Sequence, residues 1–264
     1  MSTRIYTADA FTHKPFGGNP AAICPLEGPA DEAWMQAVAA EMNLSETAFL
    51  WQEDDAFRLR WFTPAVEVDL CGHATLAASH VLWSEGLTEA PVLSFETRSG
   101  RLTAERGEGG MIWLDFPSKP LQLAPPPPEL ERSLGGVRAI YTGKNRMDWL
   151  LELPTAQQVR ELQPDFRMLA RVKARGLIVT AEGDEPGVDF VSRFFAPAAG
   201  IDEDPVTGSA HCALGPFWGK RLNKTELTGY QCSKRGGTVR IRLEGDRVKL
   251  GGECVTVVRG ELTA

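Results

Sequence analysis

No stretch of about 18 apolar residues occurs in this 264-residue chain, so a membrane-spanning helix is not expected. Dense basic runs are also missing. Lys and Arg number 28 against 35 Asp and Glu, for a net charge of −7. The short cluster at Lys220, Arg221 and Lys224 reads as a solvated helix end, which leaves nucleic acid without a binding surface. The five cysteines, Cys24, Cys71, Cys212, Cys232 and Cys254, are odd in number and form no Cys-x-x-Cys pair. That pattern argues against a disulfide framework and for a reduced, cytoplasmic chain. The opening residues run straight into strand-like Arg4-Ile5-Tyr6-Thr7, so no signal peptide is expected.

Several chemistries lack their motifs as well. There is no Gly-x-Ser-x-Gly elbow, no Walker loop and no Gly-x-Gly-x-x-Gly, which argues against serine-hydrolase, nucleotide and dinucleotide readings. Cys71, His73, His211 and Cys212 do not have zinc-ligand spacing, so no metal is expected.

What remains is an ordinary globular composition, 43% hydrophobic and 24% charged. The length suffices for one large domain or two modest ones. Strand-like segments at 4–11 and 21–25 flank the turn Phe16-Gly17-Gly18-Asn19-Pro20. Asp31 is placed to cap a helix carrying Trp34, Met35, Val38, Ala39 and Met42, which should stop near Asn43. Alternation over 57–62 predicts a half-exposed strand, and 73–83 an Ala- and Leu-rich helix. Strands are expected at 92–97, 101–106 and 111–116. Pro125 to Pro128 then read as a stiff linker, which divides the chain into lobes 1–123 and 124–264. The second lobe is expected to hold strands near 137–142, 148–153, 176–181 and 188–194, with a helix near 156–163. A further helix follows Ser209, interrupted or kinked by Gly215-Pro216, and strands lie near 238–243, 247–250 and 254–262. The last of these could cross back to the first lobe.

An internal repeat runs through this layout. Phe62-Thr63-Pro64-Ala65 returns as Phe195-Ala196-Pro197-Ala198, and Gly72 returns as Gly208. Each copy reads strand, Phe-x-Pro-Ala, acidic loop, glycine turn, then a small-residue helix with a tryptophan near its end, Trp83 or Trp218. A period of half the chain indicates duplication of a domain. Each glycine turn opens a helix, where free backbone N–H groups and a partial positive charge suit a small carboxylate.

Candidate chemical groups cluster at these turns. Glu46, in Leu-Ser-Glu-Thr-Ala-Phe, is a lone acid whose burial would raise its pKa and suit it to acid–base work; a surface strand start is the plainer alternative. His73 follows Gly72, where the positive helix end would keep the imidazole neutral, or it is a capping or core histidine. Of Asp202, Glu203 and Asp204, the last lies nearest the second turn; it is a second functional carboxylate or an ordinary N-cap. Cys71 is a thiol at a helix start, reactive or simply buried.

The motifs Asp9-Ala10-Phe11, Gly18-Asn19-Pro20, Asn43-Leu44-Ser45-Glu46-Thr47, Phe62-Thr63-Pro64, Cys71-Gly72-His73-Ala74-Thr75 and Glu203-Asp204-Pro205-Val206-Thr207-Gly208-Ser209-Ala210 occur in that order. Together they resemble the PhzF-like (phenazine biosynthesis-like) family and, more distantly, diaminopimelate epimerase and proline racemase. The resemblance implies an α+β, diaminopimelate epimerase-like fold of two pseudo-symmetric lobes. In each, a barrel-like sheet surrounds a central helix, and the active site lies in the cleft. It implies that Glu46 is the catalytic acid–base with His73 and Asp204 beside it. Asn19, Gly72, Thr207, Gly208 and Ser209 would bind substrate. It further implies an isomerase that needs no cofactor, acts on a small anionic metabolite and forms a homodimer. The epimerase relatives use two facing cysteines. Here Cys71 takes the first position and the second turn has none. A Cys71-dependent epimerase or racemase, and a metabolite-binding protein without turnover, are the competing readings.

Overall fold

Asp31 accepts the backbone N–H of Trp34 and so starts a helix where the apolar spacing begins, while Asn43 ends it in the left-handed conformation. Such local signals account for most elements of the computed structural model, which describes residues 3–263. The chain divides into two compact units: Met1–Phe116 with Gly251–Ala264, and Pro117–Leu250.

In the first unit the order is β1 (Thr3–Ala10), β2 (Asn19–Pro25), α1 (Glu32–Met42), β3 (Glu46–Glu53), β4 (Ala56–Phe62), β5 (Glu67–Val68), α2 (Gly72–Ser84), β6 (Val92–Thr97), β7 (Gly100–Arg106) and β8 (Ile112–Pro117). β2 and β3 pair in parallel; β1 with β2, β3 with β4, and β4 with β5 pair antiparallel. Helix α2 is buried on nearly every side and packs on β1, β2 and β3. A helix buried nearly all round belongs at the centre of a core. On the outer side, Met35, Val38 and Ala39 of α1 close over Ala22, Cys24, Phe49 and Phe62.

The second unit repeats this plan. It runs β9 (Gln122–Leu123), α3 (Pro128–Ser133), β10 (Tyr141–Lys144), β11 (Asp148–Glu152), α4 (Ala156–Glu161), α5 (Phe166–Leu169), β12 (Gly176–Glu182), β13 (Phe190–Ala196), β14 (Ile201–Asp204), α6 (Gly208–Leu222), β15 (Glu226–Gln231), β16 (Gly237–Glu244) and β17 (Arg247–Gly252). β11 and β12 pair in parallel; β10 with β11, β12 with β13, and β13 with β14 pair antiparallel. This is the pairing scheme of the first unit, strand for strand, and it gives the sequence repeat its structural meaning.

The unit boundaries differ from those expected at 123 and 124. Pro125 to Pro128 separate nothing: Pro128 occupies the first turn of α3, where its missing N–H costs no hydrogen bond. Leu123, just before them, pairs with Gly143 of β10, so β9 already belongs to the second unit. The final strand, β18 (Cys254–Leu262), runs antiparallel along β1 and belongs to the first unit. The chain thus returns to the first unit for its last strand, after building the second from one continuous stretch.

Two further expectations are corrected. The strand placed near 137–142 starts at Tyr141. Of the two effects expected at Gly215-Pro216, the interruption does not occur: helix α6 is one continuous element through Pro216. Pro216 cannot donate to the carbonyl four residues back, and that carbonyl, on Cys212, accepts the backbone N–H of Lys119 at 2.9 Å instead. Among the described residues no helix is long and apolar enough to cross a membrane.

Candidate active site

Three segments of the first unit bring Asn19, Glu46, Cys71 and His73 together. Asn19 opens β2 directly after Gly18, whose φ of +59° and lack of room make glycine necessary: an added Cβ would lie 2.1 Å from the Ala10 carbonyl oxygen. Glu46 opens β3, in register with Ala21 on the parallel neighbour β2. Cys71 is the N-cap of α2 in extended conformation, and His73 lies in that helix's first turn. Because α2 packs on both β2 and β3, all four side chains meet.

Oε2 of Glu46 lies 3.1 Å from Nε2 of His73, with the side chains 14% and 6% exposed. Although close enough for charge attraction, the two atoms are not aligned as a hydrogen bond, and neither has another directed partner. Nδ1 of His73 faces Asn19 Nδ2 at 3.2 Å and Cys71 Sγ at 3.5 Å. Asn19 is fully buried.

These distances reverse two expectations. Burial alone would raise the carboxyl pKa of Glu46. The charge of His73 outweighs it, with the close polar contacts of His73 and Cys71 adding to that charge, and the net shift is downward. Burial opposes protonation of His73, but the Cys71 and Glu46 charges raise its pKa above the usual imidazole range. The Cys71 thiol is itself pushed up to about 11, by burial first and the Glu46 charge second. It is therefore uncharged near neutral pH, and the upward pull on His73 rests on Glu46. An isolated acid and an isolated helix-end histidine would behave as expected; a coupled pair does not.

The remaining candidates gather at the start of α6 in the second unit. Asp202, Glu203 and Asp204 are not helix caps: they form β14, and the N-cap is Thr207. The Asp204 carboxylate accepts the Thr207 hydroxyl. Gln231, at the end of β15, ties this turn down. Its Oε1 accepts the Thr207 N–H at 2.9 Å, and its Nε2 donates to the Asp204 carbonyl at 2.7 Å and to Thr207 Oγ1 at 3.3 Å. Gly208 is buried and Ser209 half-buried in the first turn of α6, while Gly72 is half-buried at the matching point of α2. Arg193 forks onto Glu203 at 2.7 and 2.9 Å and donates to the Leu162 carbonyl at 2.6 Å, which fixes the strand that ends in Asp204. Neither Gln231 nor Arg193 belongs to a motif; the one cue is a polar side chain within a strand-like run.

Glu46, Cys71 and His73 place possible metal donors within 4.8 Å of one another. Their chemistry suits protons better. Sulfur lies against one ring nitrogen and the carboxylate against the other, and a thiol raised to about 11 resists becoming a thiolate ligand. A carboxylate beside an imidazole, each with unused hydrogen-bonding capacity, can take up and return a proton.

Comparison with known proteins bears on the family and the fold. The family model for phenazine biosynthesis-like proteins (PhzC-PhzF) matches residues 8–260. An uncharacterized isomerase of Halalkalibacterium halodurans is 52% identical, with 99% of each chain covered. The crystal structure of a PhzF-family protein from Enterococcus faecalis superposes with a TM-score of 0.96 at 44% identity, covering all of both chains. A hydroxyproline epimerase from Agrobacterium vitis shares the fold at 10% identity and a TM-score of 0.62, with 99% of this chain and 92% of the epimerase covered. The fold is therefore the α+β, diaminopimelate epimerase-like class expected from the motifs.

Proposed function

The chain belongs to the phenazine biosynthesis-like family, and from that premise we propose that it is an isomerase that shifts a proton on a small carboxylate-bearing metabolite. Glu46 removes a proton from carbon next to a conjugated or carbonyl system and returns it elsewhere on the same system. His73 stabilises the carboxylate and the charge that builds on the substrate. The observation that carries this reading is the buried 3.1 Å approach of Glu46 Oε2 and His73 Nε2 without a directed hydrogen bond. Buried polar atoms normally find directed partners, and atoms that do not are common where a substrate supplies the missing contact.

By family resemblance, Gly72 in the first unit and Thr207, Gly208 and Ser209 in the second are proposed as substrate-binding groups, and Asp204 is proposed to steer the substrate's charge. The proton chemistry needs side chains alone, so no cofactor is part of the proposal, and a homodimer is expected by family resemblance. The test is Glu46→Gln with candidate unsaturated or carbonyl-bearing acids in D2O. Wild type should incorporate deuterium and form the isomer, and the variant should do neither. Undiminished incorporation by the variant overturns the assignment.

A second reading has its own support, the 3.5 Å contact between Cys71 Sγ and His73 Nδ1. In a Cys71-dependent epimerase, that thiol would deliver the proton to the opposite face of the carbon. Cys71→Ala would then abolish turnover and leave Glu46-dependent exchange intact. Normal epimerisation by Cys71→Ala removes this reading.

A further inference from the structure

The duplicated sequence carries a duplicated contact that the proton chemistry does not use. Arg60 stands two residues before Phe62, and Arg193 two before Phe195; Glu67 stands five before Gly72, and Glu203 five before Gly208. Each arginine forks onto the glutamate of its own unit. Arg60 donates from Nε to Oε1 of Glu67 at 2.8 Å and from a terminal nitrogen to Oε2 at 2.6 Å. Arg193 donates in the same way to Glu203 at 2.7 and 2.9 Å. Each guanidinium also lies over the phenylalanine of its own repeat, 5.1 Å from the Phe62 ring and 4.8 Å from the Phe195 ring. The arginine-to-glutamate spacing differs by three residues between the units, yet the fork closes in both.

The strand that each fork holds is poorly fixed by its own backbone. β5 meets β4 in two residue pairs, Trp61 with Val68 and Phe62 with Glu67. β14 meets β13 with a break in register between Phe194 and Ala196. Ladders this short leave the register to side chains. Four residues after Glu67 comes Cys71, the N-cap of α2, and then His73. A slip of one residue along β5 would carry both by about 3.3 Å. That is as far as the whole separation of Glu46 Oε2 and His73 Nε2, 3.1 Å. An apolar pair could bury the same strand, but it has no fixed direction, whereas a bidentate fork closes in one geometry. We propose that Arg60 and Glu67 are positioning residues: their fork sets the register of β5 on β4 and thereby holds His73 against Glu46. The repeated fork of Arg193 on Glu203, ahead of Asp204 and Thr207, is the same device in the second unit.

The inference rests on the reading of Glu46 and His73 as the working pair, yet it is tested without substrate. Arg60→Lys and Glu67→Asp each keep both charges and change the reach of the clamp. Arg60→Lys also loosens a 2.6 Å contact to Glu32 of α1, which Glu67→Asp leaves intact. Besides burial, the groups acting on His73 are Cys71 and Glu46, so a charge-conserving change at the clamp reaches the ring through position. The readout is the pH midpoint of His73 in NMR spectra of histidine-labelled protein, with its signals identified by their loss in His73→Gln. Each clamp variant should lower the midpoint by about one pH unit, since the attraction of Glu46 weakens with distance. Glu46→Gln should lower it as well, and adding either clamp change to Glu46→Gln should lower it no further. Arg98→Lys is the control: Arg98 is exposed and meets Glu67 by a single contact at 2.6 Å, and its variant should keep the wild-type midpoint. Folded clamp variants with the wild-type midpoint overturn the proposal, and so does a further fall in the combined variants. Failure of both clamp variants to fold also overturns it, since the pair would then serve stability. An unchanged midpoint alongside lost exchange in Glu46→Gln sinks only this inference; a lowered midpoint alongside full exchange in Glu46→Gln sinks only the functional reading.

Discussion

Oε2 of Glu46 and Nε2 of His73 lie 3.1 Å apart, although one opens a strand and the other a helix. Because this neighbour lowers the folded-state pKa of Glu46, the carboxylate stabilises the fold above the ordinary carboxylate pKa. That contribution is lost as pH falls through the lowered value. Glu46→Gln should therefore lose less stability than wild type on acidification through the carboxylate range. Urea unfolding between neutral and acidic pH measures this, and equal slopes for the two proteins would contradict it.

Gly18→Ala should be destabilising by more than about 2 kcal/mol, from a left-handed φ combined with a clash. The clashing atom is the Ala10 carbonyl oxygen, backbone held in β1, so it cannot swing aside. The same change should displace Asn19 and weaken activity more than a surface Gly→Ala such as Gly86→Ala, where the added carbon meets nothing. Chemical denaturation of the two variants gives the comparison.

His211 is fully buried, and its pKa is pushed down to about 4 chiefly by burial, although its ring bonds the Thr207 carbonyl. The unfolded chain takes up this proton near the usual imidazole value and the folded chain does not. Stability should therefore fall as pH drops from about 6.5 to about 4, by about 3 kcal/mol in total. His211→Phe should flatten that part of the stability curve. An unchanged curve would show that His211 is protonated in the fold.

The Lys119 N–H that serves the Cys212 carbonyl should exchange slowly with solvent, in step with the amides of α6. Lys119→Pro removes the donor and should cost about 1–3 kcal/mol, because a buried carbonyl loses its partner. Lys119→Ala keeps the N–H and should cost far less. Hydrogen exchange and denaturation of the pair test this; equal costs would mean the bond contributes nothing.

Local signals were readable where one residue type answers one need. Asp31 and Asn43 bound α1, Gly18 sits at a turn, and the Ala- and Leu-rich run at 73–83 marks helix α2. The duplicated Phe-x-Pro-Ala and glycine turns revealed the duplication, but not the strand pairing, which depends on contacts far apart in sequence. Four prolines looked like a boundary because Pro breaks helices, yet Pro128 begins one, where proline is suited. Pro216 could be read as an interruption because its remedy, Lys119, lies far away in sequence. The protonation of Glu46 and His73 was misjudged for a similar reason: each was considered alone, and their coupling exists only once β3 and α2 meet. Gln231 and Arg193 carried no motif, since a buried polar anchor is defined by the partners it finds.

The pairing of β18 with β1 also bears on how the chain is made. On the ribosome, β1 emerges before the second unit, and its partner only after all of that unit has been translated. At ordinary elongation rates that interval is on the order of tens of seconds. The second unit is continuous from Pro117 to Leu250, so it can finish first while one edge of β1 stays open. An unpaired strand edge invites pairing with other chains. Polysomes translating this message should therefore carry nascent chains that need protection at β1 until β18 arrives.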